Sequence, residues 1–225
     1  MISIPVHPVR AVLRTLGLTT VLASLLTGCE PEAQPDQAAV AAATGAYKTC
    51  AACHGVAGEG NLALNAPTLV NLDGDYLARQ LANFRDGKRG TAAEDVHGAV
   101  MAAQAASLTD ADIEAIVAQV DGFDEVMPAA TFEADIANGK DYYAMVCGAC
   151  HGPEAVGNPN LNAPSLRGID DWYLVRQYEA FRAGWRGTHP EDVPGQQMRR
   201  MSEILKDEEA VRNVSAYLQS LGLED

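Results

Sequence analysis

Two short runs in this 225-residue chain carry residues able to do chemistry: Cys50-Ala51-Ala52-Cys53-His54 and Cys147-Gly148-Ala149-Cys150-His151. On a helix, side chains three apart share a face, so both thiols of each run can form thioethers with one porphyrin. The histidine that follows then presents its imidazole to the iron. The pattern reads as haem attachment, with Cys50, Cys53, Cys147 and Cys150 as the covalent links and His54 and His151 as proximal ligands. Two covalently bound haem c groups are therefore expected. A lone Cys-x-x-Cys also fits a redox dithiol or half of a zinc site. Histidine directly after both copies favours haem.

A sixth ligand is the next requirement. Met101 and Met198 each lie 47 residues beyond their histidine, in what reads as a loop before the last helix of each half. Paired with histidine, a thioether raises the reduction potential and closes the iron to oxygen chemistry. Met201 is a rival to Met198, although its counterpart in the first half is Gln104. Met127 and Met145 have no counterpart and read as packing residues. His97 and His189 are not repeated either and read as solvated loop histidines. Six arginines are matched between the halves: Arg79, Arg85 and Arg89 with Arg176, Arg182 and Arg186. They fit helix-surface ion pairs with carboxylates, each worth little, or haem propionate contacts, since guanidinium suits bidentate carboxylate recognition. Arg89 and Arg186, in a shared Arg-Gly-Thr turn, are the better propionate candidates. Trp172 and Trp185 read as core packing. Arg199 and Arg200 beside Met198, against Ala102 and Ala103 beside Met101, place the second haem in the more positive field and predict its potential to be the higher.

These residues sit in a duplication. Shifting the sequence on itself by 97 residues aligns Cys50–Asp110 with Cys147–Asp207 without a gap. Asn65-Ala66-Pro67 matches Asn162-Ala163-Pro164, Tyr76-Leu77 matches Tyr173-Leu174, and Arg79-Gln80 matches Arg176-Gln177. Each copy reads as helical. A first helix leads into the haem motif, from about 37 to 49 and about 132 to 145. A middle helix follows Asp75 or Asp171 and stops at Gly87 or Gly184. A last helix begins at Thr109, with Asp112 completing a capping box. In the second copy its apolar face is Val211, Val214 and Leu218, one residue out of register, which places an insertion after Asp207. No segment alternates like a strand. Gly122 and Pro128 mark the boundary, giving domains at 39–127 and 128–225.

The N-terminus reads as a targeting segment. Arg10 and Arg14 precede an apolar run from Leu16 to Leu26 that ends in Leu26-Thr27-Gly28-Cys29. That is a secretory signal over 1–28 and resembles a lipobox, in which Cys29 is acylated and heads the mature chain. A retained membrane span is the alternative, but the run is short of the usual ~20 residues. Residues 29–38, with two prolines and three acids, read as a flexible tether. Cys29 and the two motifs use all five cysteines, so none remains for a disulfide or a nucleophile. Net charge is −14, and both halves are acidic, which makes nucleic acid and anionic lipid head groups poor partners.

Two domains of this size, each with Cys-x-x-Cys-His, Asn-Ala-Pro and a later methionine, resemble the two-haem cytochrome c4 family. The run Trp172-Tyr173-Leu174-Val175-Arg176-Gln177, with Phe181, Gly184, Arg186-Gly187, Asp192, Gly195 and Met198, is also similar to haem c domains associated with bacterial terminal oxidases. The resemblance implies an all-α fold of two tandem class I cytochrome c domains. It implies that the Pro67 and Pro164 carbonyls orient the two histidines. It further implies electron transfer from a quinol-oxidising complex toward a terminal oxidase, at the periplasmic side of a bacterial membrane. Two other readings compete. A two-haem peroxidase would need one vacant iron and a sulfur-compound dehydrogenase a spare cysteine ligand; the third possibility is a fixed subunit of an oxidase complex.

Overall fold

Capping and apolar spacing set the helices of the computed structural model, which describes residues 45–222. In the first half these are α1 (Lys48–His54), α2 (Gly74–Arg85), α3 (Val96–Ala105) and α4 (Asp110–Val120). In the second half α5 (Ile136–Tyr142) runs through a π turn (Tyr143–Cys147) into α6 (Gly148–His151), and α7 (Asp171–Arg182), α8 (Val193–Met201) and α9 (Glu208–Ser220) follow. The only extended pairings among the described residues are single bridges, Asn61 with Ala66 and Asn158 with Ala163. The fold is all-α.

Several starts have a cause in the sequence. Asp73 accepts from the Tyr76 amide ahead of α2, Asp95 and Asp192 cap α3 and α8 in the same way, and Asp135 caps α5. Thr109 and Asp112 form the reciprocal capping box at α4, with both backbone donors satisfied. One stripe of α4 (Ile113, Ile116, Val120) is buried with Tyr47, Leu77 and Leu81 in the first core. In the second core Val211, Val214 and Leu218 of α9 pack with Tyr143 and Leu205. Where α5 meets α9 the backbones touch: a Cβ on Gly139 would collide with the Asn213 carbonyl.

Several boundaries differ from the sequence reading. In the second half the first helix starts at Ile136 rather than near Phe132, because Asp135 is its cap. Its counterpart before residue 45 lies outside the described residues, as do Cys29, the signal and the tether. The extra residue near the last helix precedes Asp207 rather than following it. Leu108 and Leu205 still match, but the caps are Thr109 and Asp207, so Lys206 is the insertion. Arg85 donates to the Leu108 carbonyl and Arg182 to that of Lys206, so the same contact is kept around it. A second register shift falls before the second haem motif. Tyr47 and Tyr143 are both buried, and their hydroxyls donate to the Gly55 and Gly152 carbonyls at 2.9 and 2.6 Å. They are 96 apart, not 97. The π turn holds the extra residue, so the tyrosine and the cysteines both keep their places.

Over the described residues the two halves form one compact unit. The connection between them is held at several points: Asn71 bonds the Val126 backbone, Gln219 donates to the Pro128 and Ala129 carbonyls, and Thr131 donates to Asp171.

Candidate functional site

In each half the haem motif forms the end of a helix that stops at a glycine with positive φ, Gly55 or Gly152. Cys50 and Cys147 are half-buried, while Cys53 and Cys150 are exposed. Burial pushes the Cys147 thiol up to about 11 and shifts Cys50 in the same direction. A redox dithiol needs the opposite shift. Among the described residues no three His, Cys, Asp or Glu side chains converge as metal ligands.

His54 and His151 are both buried, 6% exposed. Their Nδ1 atoms sit 2.8 and 2.9 Å from the Pro67 and Pro164 carbonyl oxygens. A carbonyl only accepts, so Nδ1 carries the proton and Nε2 keeps the lone pair for a metal. Burial holds both imidazoles below the usual histidine value. At His54 the proline carbonyl opposes this and the Arg176 charge adds to it. Neutral imidazole is the form that ligates. The proline carbonyls are placed by Asn65 and Asn162, left-handed residues (φ 54° and 53°) that end short 3-10 turns.

A cavity of about 430 Å³ in the second half brings Cys147, Cys150, His151, Pro164, Met198 and Met201 together. Both methionines line it. Met101 is partly buried against the first core. Met101 and Met198 belong to helices α3 and α8, not to loops as the sequence suggested. These helices are pressed against the Arg-Gly-Thr turns, and Gly90 and Gly187 (φ +79° and +74°) have no room for a Cβ beside the Gly98 and Gly195 carbonyls. His97, too, is on α3, exposed, and neither His97 nor His189 lines the cavity.

The matched arginines divide. Arg85 and Arg182 make surface ion pairs with Asp86, Asp110 and Glu179. The other four point between the halves. Arg89 donates to Gln80 of its own half at 2.9 Å and to Gln177 of the other at 2.6 Å, with the Tyr173 hydroxyl at 3.4 Å. Arg186 mirrors it, reaching Gln177 at 2.8 Å, Gln80 at 2.9 Å and the Tyr76 hydroxyl at 2.7 Å. Burial raises the Tyr76 phenol, but Arg186, Arg89 and Arg79 outweigh it and hold the group below its usual value. The Nε atoms of Arg79, Arg89, Arg176 and Arg186 are all buried without a partner, and no described carboxylate pairs with any of the four. Sequence reasoning singled out Arg89 and Arg186 and missed that Arg79 and Arg176 belong to the same set. The available signal was the stripe Tyr76, Arg79, Gln80, repeated as Tyr173, Arg176, Gln177 on one helix face.

Four arginines with buried, unpartnered Nε atoms, two of them (Arg89 and Arg186) buried throughout, and no salt-bridge partner would be costly. Each haem brings two propionate carboxylates, so two haems supply anions equal in number to these cations. The donor set therefore fits haem: paired thiols, a neutral buried imidazole, cavity-lining methionines and orphaned N–H groups. Bound there, haem iron supplies a one-electron couple.

The family model for cytochrome c matches residues 40–121 and again 136–222, which is most of the chain and both repeats. The chain belongs to the cytochrome c family. Its two matches are the two halves, so the cytochrome c domains carry two covalent haem c groups. A cytochrome c4 from Pseudomonas aeruginosa is 30% identical over 218 residues, covering 94% of this chain and 96% of that one. A thiosulfate dehydrogenase electron acceptor from Stutzerimonas stutzeri is 31% identical over 194 residues, covering 80% and 82%. Reduced recombinant cytochrome c4 from Pseudomonas stutzeri superposes with a TM-score of 0.62 at 27% identity, over 83% of this chain and 98% of that one. Thiosulfate dehydrogenase (TsdBA) from Marichromatium purpuratum superposes with a TM-score of 0.60 at 30% identity over 76% of this chain. This chain spans only 36% of that longer protein. The cytochrome is a two-haem electron carrier of the c4 kind.

Proposed function

We propose that this cytochrome is tethered by a lipid on Cys29 at the periplasmic side of a bacterial membrane, where it carries electrons from a quinol-oxidising complex toward a terminal oxidase. The observation that carries the electron-transfer reading is the shared wall. Tyr76, Arg79 and Gln80 of the first half line the cavity that holds His151 and both second-half cysteines. Two redox sites with a common boundary suit passage of an electron from one half to the other. His54 and His151 are fixed in one tautomer by the proline carbonyls, and Met101 and Met198 are our candidates for the opposite axial positions. Arg89 and Arg186, through their orphaned Nε atoms, are candidates for holding propionates. A site closed on both sides of the iron favours electron transfer over peroxide or oxygen chemistry.

A second reading concerns only the donor. The names of two relatives, one from Stutzerimonas stutzeri and one from Thiomonas intermedia, describe electron acceptors of thiosulfate dehydrogenase, and this supports thiosulfate dehydrogenase as the reductant. Stopped-flow reduction of the purified cytochrome by each candidate donor separates the two. The favoured reading expects rapid reduction by the quinol-oxidising complex and reoxidation by a terminal oxidase. Rapid reduction by thiosulfate with its dehydrogenase alone would replace the quinol route. For the anchor, mass spectrometry of the mature N-terminus is expected to show an acylated Cys29. A processed chain without acyl groups would contradict it.

A further inference from the structure

The middle helix of each half reaches into the haem site of the other. Arg79 is on α2 in the first half, yet it lines the cavity with Cys147, Cys150 and His151. Its Nη2 donates to the Asn162 carbonyl at 3.2 Å, two residues before the proline whose carbonyl orients His151. Arg176 on α7 repeats the contact in the opposite sense. Both of its Nη atoms donate to the Asn65 carbonyl at 3.3 Å, two residues before Pro67. Arg79 lies over the Tyr76 ring at 5.6 Å and Arg176 over Trp172 at 4.8 Å, contacts that hold each guanidinium at the boundary. Each keeps a buried, unpartnered Nε. The salt bridges of the described residues involve neither.

We propose that these two arginines act in trans: Arg79 sets the reduction potential of the haem attached at Cys147 and Cys150, and Arg176 that of the haem attached at Cys50 and Cys53. Two physical effects link each arginine to the haem of the other half, and the charge is the larger. A guanidinium at this partly buried boundary favours the less positive, reduced iron, because its field is screened less there than in open water. Its bond to the asparagine carbonyl also fixes the turn that aims the proline oxygen at the histidine, and such outer contacts tune the metal through its ligand. Each haem's potential thus depends on the docking of the half that does not bind it. Arg79 and Arg176 are positioning residues, with an electrostatic share in the potential.

The inference rests on both sites carrying covalent haem, which a pyridine haemochrome count of two per chain checks separately. The test uses the full-length holoprotein with Arg79→Gln, Arg176→Gln and Arg79→Lys. Voltammetry gives the two potentials. Paramagnetic NMR assigns each to a haem through methyl contacts with Cys50 and Cys53 or with Cys147 and Cys150. Arg79→Gln is expected to lower the reduction constant of the second-half haem about tenfold, about 59 mV for one electron, and to move the first by less than about twofold. Arg176→Gln should do the reverse, and Arg79→Lys should restore at least half of the loss by keeping the charge. A shift of the haem in the arginine's own half, equal shifts in both haems, or no shift beyond about twofold would overturn the proposal. Should Arg79→Gln fail to load haem, Arg176→Gln decides it on the same criteria.

Discussion

Fixing Nδ1 of His54 and His151 on a proline carbonyl leaves each ring one way to meet iron, so the opposite face decides the chemistry. Met198 and Met201 both line the second cavity, one turn apart on α8. Met198 has a matched partner in Met101, and its replacement should therefore be the damaging one. Met198→Ala is expected to remove about half of the weak long-wavelength methionine-to-iron absorption and to let imidazole bind one haem. Met201→Ala should leave the band intact; the opposite result would assign Met201. The helices bearing these methionines depend on Gly90 and Gly187, where a side chain would meet positive φ and a backbone oxygen at once. Gly90→Ala should destabilise by about 2 kcal/mol or more, read by thermal unfolding of the holoprotein. The haem cysteines and histidines and the Asn-Ala-Pro turns were legible in the sequence because their function is local: a few residues at fixed spacing on a helix or turn. Arg79 and Arg176 were not. On its own helix each resembles any solvated arginine, and its role exists only when the other half is docked.

At the scale of elements, the middle and last helices could be read from apolar spacing and caps. The α4 box is the clearest. Hydrogen bonds from the Thr109 hydroxyl and amide hold the Asp112 carboxyl below the usual carboxylate range. A carboxylate with a lowered folded value contributes stability that is complete above the unfolded value and is lost as pH falls through the folded one. Loss of the cap in Thr109→Ala should cost about 1 kcal/mol at pH 7, and the loss should shrink as acid takes the medium below the ordinary carboxylate range, measured by denaturant unfolding against pH. The register shifts escaped sequence reading for a different reason. Gap-free alignment counts residues, whereas the structure conserves contacts. The π turn lets Tyr143 donate to Gly152 as Tyr47 does to Gly55, and Lys206 supplies the carbonyl that Leu108 supplies in the first half. Tyr143→Phe should cost about 1 kcal/mol through the lost bond, whereas a Met145 substitution, at a side chain 72% exposed, should be nearly neutral.

At the scale of the molecule, the duplication itself was plain from the matched motifs, but repetition alone does not say whether two copies touch. They do so through a nearly self-complementary surface. Gln80 and Gln177 each accept from both Arg89 and Arg186. Thr68 of the first half donates to Asp170 of the second, and Asn71 donates to the Gly168 carbonyl. Lys88 pairs with Glu191 at 2.9 Å on the rim. The Asp170 bonds have no mirror image, so the two haem sites are related but not equivalent. The unmatched Arg199 and Arg200 add to that difference and keep the expectation that the second haem has the higher potential; voltammetry with NMR assignment should show that order in the wild type. On the proposed reading, one packed unit holds two closed redox centres and works as a carrier. Anaerobic reductive titration of the purified full chain, followed by its spectrum, tests this most directly. Two electrons should be taken up per chain, with a methionine band for each haem in the oxidised form. One electron per chain, or a high-spin haem with an open site, would contradict it.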